Sequence, residues 1–379
     1  MSTDSITVDQ ADQHIEAHRA LGFDVTDLDV VASRRIWIVS DDLSGPPDEG
    51  VKKFTLSIAA ALQSHHEVEL ISTHGSNDTD GVRSIPTSRS FLSLSLRAAL
   101  RSGQPEVIIY ATHRSATFFS FIRARLLKFY CPGVPVVLLG LQTRRHSRWQ
   151  QLLIRQLRPD LTLVQSDLNR EYLAGLGCNV AVVPSGVDVN TFRPVSPGRR
   201  LALRKQYGLD ITRPIILHIG HLKEGRGIRD LIPLAASDTC QVVLVTSTST
   251  PQEARLADDL RAAGVRLITE YLPNIEELYQ LSDCYVFPVR TTDNAIEIPL
   301  SVLEALACDL PVVTTRFGGL QRLFGHVTHP GIVFVDSTGE LTAEALRIAQ
   351  IGRRGTRVFA LPFSWEQVAR ILLSRQLPQ

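Results

Sequence analysis

Residues 271–320 read YLPNIEELYQLSDCYVFPVRTTDNAIEIPLSVLEALACDLPVVTTRFGGL. A short apolar strand pattern at 283–287 stops at Pro288, and a polar loop follows. Pro299 then opens the helical pattern LSVLEALA, and a second β-branched run occupies 311–314. This is a strand–loop–helix–strand unit. Continuous apolar strands separated by a helix indicate a parallel sheet covered on both faces.

The same alternation extends outward in both directions. Upstream, strand patterns fall at 35–40, 67–71, 106–110, 135–140, 161–165 and 180–183. Around the central unit they fall at 214–219, 241–246, 265–269 and 331–335. Helical patterns of ten to fifteen residues separate most of them. Each half thus has six expected strands, and the Pro-, Gly- and Arg-rich stretch 192–200 lies between the halves. The fold class is α/β: two doubly wound, Rossmann-like domains facing across a cleft. The expected division is an acidic extension at 1–31, a domain at 32–194, a second at 195–360, and a last helix at 361–379 crossing back to the first domain.

Composition narrows the function. The chain has 379 residues, 44% hydrophobic and 21% charged, with 40 basic and 39 acidic side chains. That near-neutral balance gives no general reason to expect nucleic acid as partner. No apolar run approaches the ~20 residues of a membrane-spanning helix. The polar, acidic start is not expected to act as a signal peptide, and a cytoplasmic protein is expected. The five cysteines are scattered without a C-x-x-C pair, so neither a zinc site nor a disulfide framework is indicated. Residues 1–31 hold seven acidic residues and one arginine and read as a solvated tail.

The start of the helix after Pro299 is where chemistry first shows. Proline suits a first turn, where its missing N–H costs nothing. The free amides of Leu300 and Ser301, with the positive end of the helix dipole, make an anion site. Glu304 is the odd member of an otherwise apolar helix. A buried carboxylate needs hydrogen-bond partners, and a ribose diol one turn above the anion site would supply two hydroxyl donors. The alternative is that Glu304 lies on a solvated helix edge.

With these residues in view, the segment resembles the retaining GT-B glycosyltransferases of family GT4. VVPSGVDVNTFRP (182–194) is similar to the family's interdomain junction, and ILHIGHLKEGRGIRDLI (216–232) to its glycine-arginine … lysine-glycine loop. SDDLSGPPDEGVKKFTLSIAAAL (40–62) resembles its N-terminal glycine loop, and FSWEQVARILL (363–373) its closing helix. The resemblance spans residues 34–376. It implies that Arg226 stands at the family's lysine and His221 at its arginine, the pair that neutralises the donor diphosphate. An imidazole beside a diphosphate would be stabilised as imidazolium. Leu272 matches the position whose backbone meets the nucleotide base. The family's first donor glutamate, eight places before Glu304, is Ile296 here. Glu297 stands one place late, and Glu297-Ile298-Pro299 replaces glycine-phenylalanine-glycine. A one-residue loop adjustment would bring Glu297 to the donor sugar; otherwise that contact is altered.

In the first half, Gly50 lies where the chain enters a helix, and a glycine there lets backbone amides approach a phosphate or acceptor; a simple turn glycine is the alternative. His113 follows the strand at 106–110, where the family often has a histidine near the reacting carbon. His65, His66, His146, His326 and His329 read as surface residues. Residues 97–170 contain twelve basic side chains against three acidic. For 115–130, a core helix with a solvated basic edge is the preferred reading. For Arg144, Arg145 and Arg148, a solvated edge and an acceptor site for an anionic molecule stand side by side.

The resemblance implies a hexosyl/glycosyltransferase moving a sugar from a nucleotide-sugar (UDP-, GDP- or dTDP-linked) to an acceptor hydroxyl, with retention and without metal or other cofactor. Arg226, Glu297 and His113 are the expected catalytic residues. Gly50, His221, Arg226, Leu272, Glu297, Leu300, Ser301 and Glu304 are expected at the donor, and Arg144, Arg145 and Arg148 at the acceptor. The basic stretch raises an anionic or lipid-linked acceptor and a peripheral contact with the inner membrane surface. A nucleotide-sugar epimerase or phosphorylase of the same fold, or a non-catalytic sugar-nucleotide or partner-binding member, remain the alternatives.

Overall fold

The structure is a computed structural model and describes residues 32–74, 80–88, 91–112, 115–248, 252–291 and 295–376. The acidic extension at 1–31 and His113 lie outside the described residues. The described chain divides into two compact units, one comprising Val187–Ser364 and the other the described residues up to Gly186 together with those from Trp365 to Gln376.

The N-terminal unit runs β1 (Arg35–Asp42), α1 (Gly50–Gln63), β2 (Glu67–His74), β3 (Val82–Ser84), α2 (Leu94–Gly103), β4 (Val107–Ala111), α3 (Phe118–Tyr130), β5 (Val136–Leu139), α4 (Arg148–Ile154), β6 (Leu161–Val164), α5 (Asp167–Gly175) and β7 (Val180–Val182). Among the described residues its strands order as β3-β2-β1-β4-β5-β6-β7, all pairs parallel. Strand β3 has no apolar run to announce it. It exists because Leu70–Ser72 of β2 offer it a ladder. Helix starts follow the local chemistry: the Ser166 side chain accepts from the Asn169 amide, and Thr117 and Ser147 open capping boxes.

The C-terminal unit runs α6 (Pro197–Gln206), β8 (Ile215–Ile219), two 3-10 turns (Glu224–Arg226 and Ile228–Leu231), α7 (Ile232–Ala235), β9 (Gln241–Val245), α8 (Ala254–Ala262), β10 (Arg266–Ile268), α9 (Glu276–Leu281), β11 (Cys284–Phe287), α10 (Leu300–Ala307), β12 (Val312–Thr315), α11 (Leu320–Phe324), β13 (Ile332–Val335) and α12 (Thr338–Ile351). Its described strands order as β10-β9-β8-β11-β12-β13, again all parallel. Both orders reverse direction once, between β1 and β4 and between β8 and β11. In such sheets ligands bind beyond the carboxyl ends of the strands at that reversal.

The final helix, α13 (Trp365–Gln376), packs against α1 of the N-terminal unit. Trp365 sets its ring edge on Phe54 at 5.2 Å. A Cβ on Gly186 would come within 2.4 Å of the same indole, so only glycine lets the chain pass there. All five cysteines are free and buried; burial pushes the Cys178 thiol up to about 11.

Candidate active site

In the C-terminal unit the strand reversal brings together two loops far apart in sequence. The first follows β8 and carries Gly220, His221 and Arg226. The second follows β11 and leads through Pro288 to Glu297 and the start of α10. Two glycines lock this arrangement. Gly227 has φ +67°, and a Cβ there would lie 2.4 Å from the Pro288 carbonyl oxygen. Gly318 has φ +49°, and a Cβ there would lie 2.3 Å from the Glu297 carbonyl oxygen. The neighbouring Gly319 N–H donates to that same carbonyl at 2.8 Å. Gly227→Ala is therefore expected to lower unfolding free energy by about 2 kcal/mol or more, through backbone strain and the close approach together. Urea denaturation checks it, and an unchanged midpoint would mean that the loops relax freely.

Arg226 is buried. Its guanidinium lies 5.9 Å from the Phe287 ring centroid. Burial pulls its pKa down to about 10, with nearby Tyr285 opposing the shift, so the group stays cationic at neutral pH. A Cβ on Gly220 would sit 2.6 Å from Arg226 Nη2, which explains the glycine at the end of β8. His221 is half-buried in the turn that follows.

The α10 start differs in one detail from the sequence expectation: Pro299 is the N-cap, and Leu300 is the first helical residue. The Leu300 and Ser301 amides remain those of the first turn. Tyr285, reaching up from β11, bonds Ser301 and donates to the Ile219 carbonyl at 3.3 Å. Arg226, Tyr285 and Ser301 thus converge on the space where the dipole of α10 is positive.

Glu304 does not lie on a solvated edge. It is buried, and Tyr279 donates to its Oε2 at 2.7 Å. Burial and the Glu304 charge push the Tyr279 phenol well above its usual range, so this hydroxyl remains a donor. Glu297 is also buried, on the loop just before α10. Leu272 is half-buried in the β10–α9 connection, with β10 two strands from the reversal.

His218 is not among the residues expected at the site from the sequence. It is wholly buried on β8, between Tyr285 and Phe287, with ring centroids at 6.2 Å on each side. Its Nδ1 bonds the Val286 carbonyl at 2.8 Å. A Cβ on Gly220 would also lie 2.9 Å from its Nε2, so His218 and Arg226 flank one glycine. Burial, with the Arg226 charge beside it, drops the imidazole to about 3. The unfolded chain binds a proton at this position below its ordinary pKa of about 6.5, and the folded chain does not. Stability from His218 is therefore fully present above pH ~6.5 and lost as pH falls toward 3. In urea titrations at several pH values, His218→Asn is expected to flatten that acid-side slope; an unaltered slope would contradict it.

In the N-terminal unit, Gly50 is the first residue of α1. Arg144, Arg145 and Arg148 lie in or just after the β5–α4 connection. Arg144 Nε donates to Ser115 Oγ at 3.3 Å, Arg145 lies over Tyr172 at 4.2 Å, and Arg148 is exposed at the start of α4. Two histidines read as surface residues are buried. His66 accepts the Arg34 amide at 3.1 Å, and His146 stacks on Tyr172 and bonds its hydroxyl at 3.0 Å. At this unit's own reversal, Arg123 Nη1 donates at 3.0 Å to both Asp41 oxygens and to Tyr110 Oη. That cluster was invisible in sequence, because its members come from β1, β4 and α3.

Residues 213–350 match the family model described as glycosyl transferases group 1. The D-inositol 3-phosphate glycosyltransferase of Xylanimonas cellulosilytica is 30% identical over 226 residues, 55% of this chain and 53% of that protein. The GDP-mannose-dependent monoacylated alpha-(1-6)-phosphatidylinositol monomannoside mannosyltransferase of Corynebacterium glutamicum is 28% identical over 235 residues, 54% of this chain and 58% of that protein. The chain thus spans a little over half the length of these curated relatives. Among solved structures, Anabaena Alr3699/HepE in complex with UDP superposes with a TM-score of 0.69 at 16% identity, covering 89% of this chain and 98% of that one. Both units share the Rossmann-like architecture of GT-B glycosyltransferases.

Proposed function

We propose that this protein is a glycosyltransferase of the group 1 type, moving a sugar from a nucleotide-sugar donor to an acceptor hydroxyl with retention of configuration. The observation that carries the reading is the buried Arg226 next to Tyr285, whose hydroxyl bonds Ser301 in the first turn of α10, at the strand reversal of the unit that matches the family. A desolvated cation and free helix amides suit a leaving diphosphate. The acceptor hydroxyl attacks the anomeric carbon on the face the diphosphate leaves. The C1–O bond to phosphate breaks, its electron pair stays on the diphosphate, and the hydroxyl proton passes to the departing phosphate oxygen. Arg226 stabilises the charge that develops there.

Glu304 is assigned to the ribose hydroxyls, Glu297 to the donor sugar, His221 to the diphosphate, Leu272 to the base, and Gly50 to the donor phosphates. His113 is assigned to the neighbourhood of the reacting carbon. The N-terminal unit is assigned the acceptor, with Arg144, Arg145 and Arg148 suiting an anionic or lipid-linked one. UDP-, GDP- and dTDP-sugars remain the donor candidates.

Incubating the protein with a nucleotide-sugar panel and reading products by mass spectrometry tests the proposal. Release of nucleoside diphosphate with a new glycoside is the expected result. An epimerised sugar-nucleotide formed without acceptor would replace it with an epimerase. Tight nucleotide binding without turnover would favour a binding-only member, the reading that the displaced Glu297 supports.

A further inference from the structure

The N-terminal unit displays an apolar face that its own core does not cover. On α3, Phe121, Ala124 and Leu127 are buried, but Phe119 and Phe129 are 61% and 65% exposed. Ile122 and Leu126, half-buried, lie between them at helical spacing. Helix α4 continues the surface with Trp149, Leu152 and Leu153, which are 57%, 63% and 46% exposed. Phe118 joins the two helices: its ring lies 5.9 Å from Phe119 and 5.2 Å from Trp149. The expected core helix with a solvated basic edge thus carries exposed aromatic side chains on that edge as well. Contiguous exposed aromatic and leucine side chains of this kind mark an interaction surface.

The charges around the face decide its partner. Arg125, Arg148 and Arg155 are exposed on the same two helices or at their ends, and Arg97 lies over Phe129 at 5.9 Å. Neither α3 nor α4 contains an acidic residue. A second copy docked by the same face would set these arginines against one another across a twofold axis. An anionic lipid surface instead attracts the guanidinium groups while the aromatic and leucine side chains enter the headgroup boundary. Arginine suits this position, because its apolar stem lies along the buried side chains while its head remains in the interface.

We propose that the α3–α4 face docks this protein on an anionic lipid bilayer, with Phe119, Trp149, Leu152 and Leu153 entering the interface. The inference stands on this surface and not on the transfer reaction. Its readout is vesicle binding, so either reading fails without the other.

The full chain is mixed with phosphatidylcholine vesicles with or without phosphatidylglycerol and followed by sedimentation and tryptophan emission. Trp37 and Trp365 are buried and Trp149 is exposed, so a blue shift on binding reports Trp149. The expected result is at least tenfold stronger partition onto the anionic vesicles, with a blue shift, weakened by salt. The double variants Phe119→Ser/Leu152→Ser and Arg125→Glu/Arg155→Glu are each expected to lose about tenfold in partition, with melting temperature and nucleoside diphosphate affinity unchanged. Equal partition onto neutral and anionic vesicles, wild-type binding by both variants, or no binding at all would overturn the proposal. Light scattering that shows a dimer broken by Phe119→Ser/Leu152→Ser would likewise overturn it, assigning the face to a second copy. Absence of vesicle binding from a monomer would leave the face to a protein partner and reject the bilayer.

Discussion

Replacing Arg226 by alanine is expected to cut sugar transfer by about two to three orders of magnitude while the fold persists. The folded chain has already taken the guanidinium out of water, placed it over Phe287 and against Gly220, and kept it charged despite a pKa drawn down to about 10. A charge desolvated before the donor arrives needs little reorganisation when the diphosphate departs. That burial is a cost to the folded state, so losing the charge is not expected to lower the melting temperature appreciably. Arg226→Lys keeps a cation but not the planar fork, and is expected to fall between the two. Turnover with a defined donor and acceptor, measured beside thermal melting, checks both halves. Full activity in Arg226→Ala would remove Arg226 from the site.

The second large effect is expected at Glu304, where two roles can be separated. Glu304→Ala takes away the acceptor of the buried Tyr279 hydroxyl, and an unpaired buried donor costs about 1–3 kcal/mol. The same change removes the carboxylate assigned to the ribose. A raised donor KM, by about tenfold or more, should therefore accompany the stability loss. Glu304→Gln retains a carbonyl oxygen for Tyr279 and should recover most of the stability. It has one acceptor oxygen where the carboxylate has two, so donor KM should stay raised. If glutamine restores KM together with stability, Glu304 serves the packing of α10 on Tyr279 and not the donor.

Much of the fold was legible in the sequence because its signals are local. Runs such as Val136–Leu139 and Cys284–Phe287 are apolar throughout, and only a sheet covered on both faces accepts such strands. Strand β3 escaped notice, since three residues without an apolar pattern become a strand only when β2 is already beside them. The site divides in the same way. Ser301 and Glu304 stood out because free amides or a charge interrupted a local pattern, whereas Arg226 was marked by the family resemblance. His218 also interrupts an apolar strand run, but a lone histidine there does not by itself tell a site from a satisfied core position. Its importance arises from Gly220, Tyr285 and Phe287, which surround it only once β8 and β11 are neighbours.

By itself, then, the sequence determined two parallel α/β sheets, a loop-to-helix start at Leu300–Ser301, and an unusual carboxylate at Glu304. These follow from hydrophobic period, proline and glycine placement, and the cost of a charge in an apolar helix, all readable within a few neighbouring residues. Only the tertiary structure decided that Arg226 is desolvated beside His218, that Tyr279 holds Glu304, and that Phe119 and Trp149 remain outside the core. Burial and hydrogen-bond partnership depend on which distant segments the folded chain brings alongside, and helical spacing cannot say whether an apolar stripe is covered.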